Sequence, residues 1–546
     1  MKRIISTIIC ISAAIIVCFS QNVPYERIYL STDRSFYAAG ETVYCSAFCL
    51  NENNGFSSFS SVAYVELYSS KGMAASAKIA LQDGRGAGSI AIPSDLPTGN
   101  YRLSAYTAVA KNIPGFDFAD GGCIVSVYNT TSVKKADEVL FTDDIVPAAA
   151  KEFGGLSIYG KDGIYSIMSP YSDAYVSVSV FKDEGLVNYN GSSIYSFLNS
   201  TPSYSSYTGF AIPEYDGEII RATVSGEDGK PLSSLSNTDI YIGCPGNNED
   251  LYAARLKEDG KATFYTSNIY GDKDMAVMLL EKAGQWDVSF ASPFVGLSSA
   301  DIPALQLSVK SKGAIERLGV ASQVSKAFER DTIFTKMPVR RLPFLGSSHA
   351  SYRLDDYTRL RSMREVFTEI LKDVNMRSFG EVKRVFIRCE DNFNQIPSYR
   401  STPSLVIIDG VPLLDHELLM DYDPLLFESI DVYPYEYSFG NTNYAGVLSL
   451  NTYKKDISGL NLGKETKIVS FKGVSYPLAF SNAGFPGNYP SLRQTLYWMP
   501  LAYLEAGKAF CPDFIVPERP GCYIIKVEGL TADYKPLYKE FKITVE

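Results

Sequence analysis

At 546 residues, with 46% hydrophobic and 21% charged side chains, the chain has the length of several ordinary domains and the composition of folded material, which excludes bulk disorder. Acidic residues outnumber basic ones by 61 to 51, so nucleic acid is repelled at long range, and no basic cluster argues otherwise. Aromatics reach 13%, mostly 38 Tyr and 30 Phe, and the region before residue 310 is crowded with Ser, Thr, Val and Tyr, residues that suit half-buried pleated surfaces. The expected fold class is therefore mainly β, and the length makes the chain multidomain.

Residues 1–20, MKRIISTIICISAAIIVCFS, set Lys2 and Arg3 before an uncharged apolar run from Ile4 to Phe19. This is the layout of a secretory signal, and the run is short for a membrane span. Cleavage after Ser20 would leave Gln21 first. Neither Cys10, after Ile9, nor Cys18, after Val17, has the small preceding residue of a lipoprotein signal, so an exported chain without a lipid anchor is expected. Losing Lys2 and Arg3 leaves 49 basic against 61 acidic residues, a net of −12. No second run of about 18 apolar residues exists, so no transmembrane segment of its own is expected. The remaining cysteines are Cys45, Cys49, Cys123, Cys244, Cys389, Cys511 and Cys522. An odd, scattered set is no disulfide framework. Cys45 and Cys49 share one strand face but lie too far apart to bridge. Cys511 and Cys522 flank a Pro-rich turn and could pair across a hairpin, and the others read as small buried hydrophobes.

From residue 21 to 130, strands alternate with turns. RIYLSTDRSFYAAGETVYCSAFCL (27–50) gives a strand, a turn at Ala38-Ala39-Gly40-Glu41, and a strand in which Val43, Cys45, Ala47 and Cys49 share a face. SIAIPSDLPTGNYRLSAYT (89–107) repeats the plan around Pro-Thr-Gly-Asn. The text "YLSTDRSFYAAGETVY", followed by "IPSDLPTGNYRLSAYT", resembles the second domain of the α2-macroglobulin family, a β-sandwich. The family's Cys-Gly-Glu-Gln thioester is absent from the sequence, so the resemblance implies scaffold and not covalent protease trapping. A boundary falls near 131–150, and a second β module is expected over 131–212. Its tract SIYSFLNSTPSYSSYTGF (193–210) reads as a loop whose tyrosines, Tyr204 and Tyr207 among them, could face a carbohydrate. Over 213–312, the Asp228-Gly229 and Asp259-Gly260 turns between strands resemble the carboxypeptidase-regulatory-like β-sandwich.

The pattern changes after residue 312. LDDYTRLRSMREVFTEILKDV (354–374) carries apolar residues at helical spacing, with Asp355 or Asp356 able to cap its start. KRVFIRCED (383–391) reads as a strand. Then come a strand at 404–408, a tight Asp409-Gly410 turn, a short acidic helix through Leu418-Leu419, a strand at 427–434, a turn at 438–446 and a strand at 447–455. This series resembles the plug domain of TonB-dependent outer-membrane receptors through Ile408, Asp409, Gly410, Val411 and Pro412, then Glu428, Ser429, Ile430, Asp431 and Val432, then Phe439, Gly440, Gly446, Val447, Leu448 and Thr452. The resemblance implies a plug-like α+β domain over 313–460, with these residues as structural and docking positions. A receptor's plug precedes a barrel of many strands, whereas 91 residues follow Lys455 here. Within them, residues 461–546 include Arg493, Thr495, Leu496, Tyr497 and Trp498 and read as a further sandwich, so a plug without its own barrel is expected.

Catalytic material is sparse. The only histidines are His349 and His416, too few for a multi-histidine metal site. His416, between Asp415 and Glu417, is expected at a solvated helix start. The acidic pairs Asp143-Asp144, Asp355-Asp356 and Asp421 with Asp423 would have to face one cleft to act as a glycosidase. No GxSxG, HExxH or phosphate-binding glycine loop occurs. Asp331-Thr332-Ile333 resembles a bacterial O-glycosylation acceptor, with Thr332 as its site. The expected function is noncatalytic, without cofactor or metal: an accessory subunit, periplasmic or at the cell surface, docking on an outer-membrane β-barrel protein or assembly complex. A surface glycan-binding or glycan-processing protein is the alternative, and a noncovalent macroglobulin-type protease inhibitor a third reading.

Overall fold

The structure is a computed structural model that describes residues 25–132, 139–142, 152–161, 163–186, 193–200, 212–246, 250–281, 284–328, 334–339, 345–389, 402–480, 492–515 and 519–546. The expected leader at 1–20, Asp143, Asp144, Tyr204, Tyr207 and Thr332 lie outside the described residues. The chain is mainly β and forms two compact units. Unit 1 takes Met1–Tyr215, Pro293–Pro338 and Val474–Glu546, and unit 2 takes Asp216–Ser292 and Val339–Gly473.

In unit 1, β1 (Arg27–Thr32), β2 (Phe36–Ala38), β3 (Thr42–Leu50), β4 (Val62–Ser69), β5 (Gly72–Gln82), β6 (Arg85–Ala91), β7 (Gly99–Tyr106) and β8 (Cys123–Tyr128) run in the order β1-β3-β6-β5-β4-β7-β8-β2. Alternation does what it predicts on β3, where Val43, Cys45, Ala47 and Cys49 all enter one core with Val65, Leu67 and Leu103. Next come β9 (Val139–Thr142), β10 (Ser157–Lys161), β11 (Ile164–Met168), β12 (Ala174–Asp183) and a short helix, Ile194–Asn199.

The chain then builds the first part of unit 2 from β13 (Ile219–Gly226), β14 (Asp239–Gly243), β15 (Leu251–Arg255), β16 (Lys261–Tyr265), β17 (Asp272–Leu279) and β18 (Trp286–Phe290). It returns to unit 1 for β19 (Leu305–Ser308), which runs parallel to β9, the helix Lys312–Phe328, and β20 (Phe334–Lys336). That helix was not among the predicted elements. It packs Ile315 and Leu318 on Phe36, Leu305 and Leu307, so the expected plug-like domain does not begin at 313.

The second part of unit 2 holds β21 (Ala350–Arg353), β22 (Val374–Phe379), β23 (Val382–Ile387), β24 (Leu405–Ile408), β25 (Val411–Pro412), β26 (Phe427–Phe439), β27 (Thr442–Thr452) and β28 (Thr466–Lys472). Unit 1 closes with β29 (Leu478–Phe480), β30 (Thr495–Leu504), β31 (Ala509–Phe510), β32 (Gly521–Thr531) and β33 (Pro536–Val545).

Three expectations change. The segments assigned to separate modules at 131–212 and 461–546 share one sandwich, because β12 lies between β30 and β32 in the order β30-β12-β32-β33, facing a sheet β10-β11-β31. The earlier segment alone has too few strands to cover the row Val176, Val178 and Val180. Likewise β28, beyond the 461 boundary, completes the unit 2 sandwich as the edge of β15-β14-β17-β28, opposite β16-β13-β18. The long helix at 354–374 breaks into a 3-10 turn at Leu354–Asp356, a helix at Met363–Glu369 and the strand β22. Ser362, rather than Asp355 or Asp356, caps that helix by accepting from the Glu365 amide, and Asp373, at φ 57°, turns the chain into β22.

Cys511 and Cys522 are free. Cys522 sits in β32 opposite Asp183 and Thr544, whereas Cys511 is exposed just past β31, a strand of the other sheet.

Candidate functional site

The residues singled out in the sequence converge on the sheet β21-β26-β27-β24-β25 of unit 2. Leu405, Val406, Ile407 and Ile408 are all buried because β24 is covered on both faces, as a continuous apolar run demands. It runs parallel to β27, with Ile408 beside Leu450, and turns back antiparallel into β25, where Ile408 faces Val411 and Ile407 faces Pro412. Two residues make the turn: Asp409 at φ 47° and Gly410 at φ 89°. Positive φ at both central positions is the hairpin turn for which Asp-Gly is a preferred pair.

Asp409 has no exposed surface. Its Oδ1 accepts from the Thr452 amide at 2.8 Å, its Oδ2 from the Thr452 hydroxyl, and its own amide donates to the Leu450 carbonyl at 3.0 Å. The Thr452 hydroxyl in turn accepts from the Lys455 amide at 3.0 Å. Burial pushes the Asp409 carboxyl above the usual carboxylate range, opposed by the Thr452 bonds and the nearby Lys455 cation. Every oxygen that could abstract a proton is spent joining the hairpin to the end of β27. Asp409 is thus a strut of the fold.

The second cluster is also structural. Ile430 and Val432 point into the core, while Asp431 and Ser429 accept from Asn451 Nδ2 at 2.7 and 3.1 Å across the β26–β27 pair. Glu428 pairs with Lys455 at 3.2 Å. The expected turn at 438–446 is instead a two-residue hairpin, with Phe439 opposite Thr442, followed by a bulge. At the bulge Pro434 adds a residue to β26, which suits a residue without an amide proton, and Gly446 takes φ 81°. A Cβ there would lie 2.9 Å from the Tyr433 carbonyl oxygen. Val447 is buried in a small side core with Leu405 and Ile407, and Leu448 joins the main one.

The hairpin tips face the sandwich of the same unit. Phe439 meets Tyr241 edge to face at 4.6 Å, and the Asn441 amide donates to Asp239 at 2.6 Å. A Cβ on Gly440 would stand 2.7 Å from the same Asp239 oxygen. The Gly246 amide donates to the Asp409 carbonyl at 2.9 Å. Tyr241, Ala276 and Met278 accordingly enter the same core as Ile408, Val411, Ile430 and Leu448, while Met275 and Val277, alternating with them on β17, fill the sandwich core. Gly410, Gly440 and Phe439, expected as docking positions, are occupied within unit 2.

His416 departs from its expectation. Asp415 caps a 3-10 turn at His416–Asp421, but the imidazole is buried, and its Nδ1 accepts from the Val385 amide at 2.9 Å. Burial, assisted by the Arg384 cation, lowers His416 to about 3 and so keeps it neutral. Glu417 is spent on the Lys383 amide at 2.8 Å. Asp355 binds Arg359 and the Tyr453 hydroxyl, and those bonds lower its pKa; Asp423 caps the Leu425 amide at 2.9 Å. Among the described residues no group of three or more His, Cys, Asp or Glu side chains is arranged to hold a metal ion.

A second convergence, in unit 1, was visible only as a resemblance. Asp33, fully buried, accepts from the Tyr37 hydroxyl at 2.7 Å, the Tyr44 amide at 3.1 Å and the Thr495 hydroxyl at 2.5 Å. Arg34 lies 4.2 Å from the Tyr37 ring centroid and donates to Phe36 O at 2.7 Å, Glu41 at 3.1 Å and Thr495 at 3.2 Å. The string "TDRSFYAAGE" and the later "TLYW" are therefore two halves of one buried polar network joining the two sandwiches of unit 1. Residues 462 apart in sequence gave no local signal of meeting.

No protein-family model matches the chain, and no curated protein sequence does. Among solved structures it is similar to a point mutant of Salmonella alpha-2-macroglobulin, at 10% identity and TM-score 0.24 over 95% of this chain and 39% of that one. Escherichia coli alpha-2-macroglobulin activated by porcine elastase gives 10% identity and TM-score 0.24 over 95% and 44%. The Yersinia pseudotuberculosis adhesin InvE gives 10% identity and TM-score 0.14 over 82% and 97%. TM-scores of this size do not establish a shared architecture, and the chain spans less than half the length of both macroglobulins.

Proposed function

We propose that the chain is a noncatalytic, exported cell-envelope protein that docks by protein–protein contacts on an outer-membrane β-barrel, a transporter or an assembly or secretion complex, as an accessory subunit. The reading rests on the resemblance of the series Ile408 to Pro412, Glu428 to Val432 and Phe439 to Thr452 to a receptor plug, a series carried by strands and turns of the sheet β21-β26-β27-β24-β25. The strands that follow it, β28 and β30 to β33, pair into sandwich sheets. Its noncatalytic character is supported by the bonds that occupy Asp409, Asp355, Glu417 and His416. No helix among the described residues is long and apolar enough to cross a membrane.

With the hairpin tips occupied, docking falls to an exposed apolar end of the same sheet. Leu425 and Leu426 are 57% and 44% exposed, and Tyr453, 49% exposed, donates its amide to the Leu426 carbonyl. The affinity-tagged chain is expected to recover a barrel protein from detergent-solubilised outer membranes, and Leu425→Asp with Leu426→Asp to abolish that recovery. Purification that brings down no barrel protein with the unaltered chain overturns the proposal.

A further inference from the structure

Along β4, Ala63, Val65 and Leu67 point into the first core, so Tyr64, Glu66 and Tyr68 point to the other face. Glu66 has no exposed surface there. Its carboxylate accepts from the Tyr106 hydroxyl and from three successive backbone amides: Val295 at 2.8 Å, Gly296 at 3.2 Å and Leu297 at 2.6 Å. Successive N–H groups converging on one anion form a nest, which needs a left-handed residue, and Gly296 supplies it at φ 77°.

The surrounding bonds extend the hold along the same stretch. Lys111 Nζ donates to the Pro293 carbonyl at 2.7 Å, and the Phe294 ring meets Tyr64 edge on at 5.8 Å. The Ser299 amide donates to the Ser69 carbonyl at 3.3 Å, and Asn100 Nδ2 to the Pro303 carbonyl at 2.9 Å. Residues 293–303 thus run across the outer face of β4 and β7. Burial contributes little, since Leu297 and Ile302 are the buried apolar side chains of the stretch while Val295 is 45% exposed. The Tyr64 hydroxyl also binds the Glu214 carboxylate at 2.9 Å, so both ends of the excursion formed by residues 216–292 are held around one tyrosine.

We propose that residues 293–303 are a releasable strap, latched on the first sandwich of unit 1 chiefly by the carboxylate of Glu66, with the Val295 amide donating also to the Tyr106 hydroxyl at 2.8 Å. Glu66 stands outside the sandwich core, so loss of the latch frees the strap and uncovers Tyr64 and Tyr106 while the eight-stranded sheet stays folded. Hydrogen exchange of the full chain resolved by residue tests this. In Glu66→Ala the Gly296 and Leu297 amides are expected to exchange about 100-fold faster, and Val295, which also donates to the Tyr106 hydroxyl, by less, with β3 and β5 unchanged. Glu66→Gln, which keeps one acceptor oxygen and the side-chain volume, is expected to give about 10-fold and covers the case in which the alanine variant does not fold. Unchanged exchange at 295–297 in both variants overturns the proposal, and so does an equal acceleration throughout β1 to β8, which would make Glu66 a general support of the sandwich.

Discussion

Asp33 in unit 1 and Asp409 in unit 2 are both fully buried carboxylates set in turn-rich motifs, yet they are held differently. Asp33 lies 3.6 Å from the Arg34 guanidinium and collects hydroxyls and an amide from three parts of the chain, one of them in the other sandwich. Asp409 draws on Thr452 alone for its side-chain bonds and joins a two-residue turn to a neighbouring strand. A buried ion that anchors a charged network leaves a cation short of a partner when it is removed, whereas a turn strut leaves a local amide and hydroxyl unpaired. The same residue type in similar burial therefore supports inter-module assembly in one place and local strand register in the other.

The sharpest way to break this contrast is Asp33→Ala. It is expected to lower the stability of unit 1 by about 3–5 kcal/mol, because Tyr37, Tyr44 and Thr495 lose an acceptor and Arg34 keeps Glu41 as its remaining carboxylate. Thr495→Val removes one link of the network and should cost about 1–2 kcal/mol. The chain's two tryptophans divide the readout, since Trp498 is buried in unit 1 and Trp286 in unit 2. Denaturant unfolding followed through Trp498 in a Trp286→Phe background should move, and the Trp286 signal in a Trp498→Phe background should not. A shift of unit 2 as large as that of unit 1 would end the distinction.

How far such elements can be read in advance depends on the range of the interactions that make them. The face of β3 carrying Val43, Cys45, Ala47 and Cys49 and the Asp409-Gly410 turn were legible, because period-two alternation and positive φ are local properties. The partition into modules was not. The row Val176, Val178 and Val180 says that β12 is buried but not that β30 and β32, more than 300 residues later, flank it. The helix at 354–374 failed for a similar reason. Its apolar spacing was real, but Arg359 is drawn to the Phe427 carbonyl and Asp355, which holds the chain in a turn until Ser362 can start a helix. His416 was misplaced because its acidic neighbours suggest solvent, whereas the group that decides its burial is a backbone amide on β23.

His416 gives the next largest effect, and one of definite sign. An ordinary histidine titrates near 6.5, and this one is lowered to about 3, so between those values the unfolded chain binds more protons than the folded one. Stability is full above about pH 6.5 and falls as the pH drops toward 3, by about 1.4 kcal/mol per pH unit for this one group. Asp409 works the other way, because its raised pKa lets the folded state take up a proton more readily as the pH falls. In His416→Gln, whose side-chain oxygen can still accept from the Val385 amide, the pH dependence of the unit 2 transition should flatten by about one proton between pH 6 and 4. An unchanged slope would mean that the imidazole is not the buried neutral group described here.

The smallest effect separates a strut from a charge. Asp409→Asn keeps an oxygen for the Thr452 amide, supplies an N–H that can donate to the Thr452 hydroxyl, and retains a side chain that tolerates φ 47°. It also removes a carboxyl that burial disfavours, so its change in stability should stay within about 1 kcal/mol of zero. Asp409→Ala loses both bonds and places a residue without a local hydrogen-bonding side chain at positive φ, at an expected cost of about 2–3 kcal/mol. Unfolding of unit 2 read through Trp286 distinguishes the two. If asparagine proves as costly as alanine, the negative charge itself matters at the turn, and Asp409 would belong with Asp33 among the residues that hold the fold by ionic attraction.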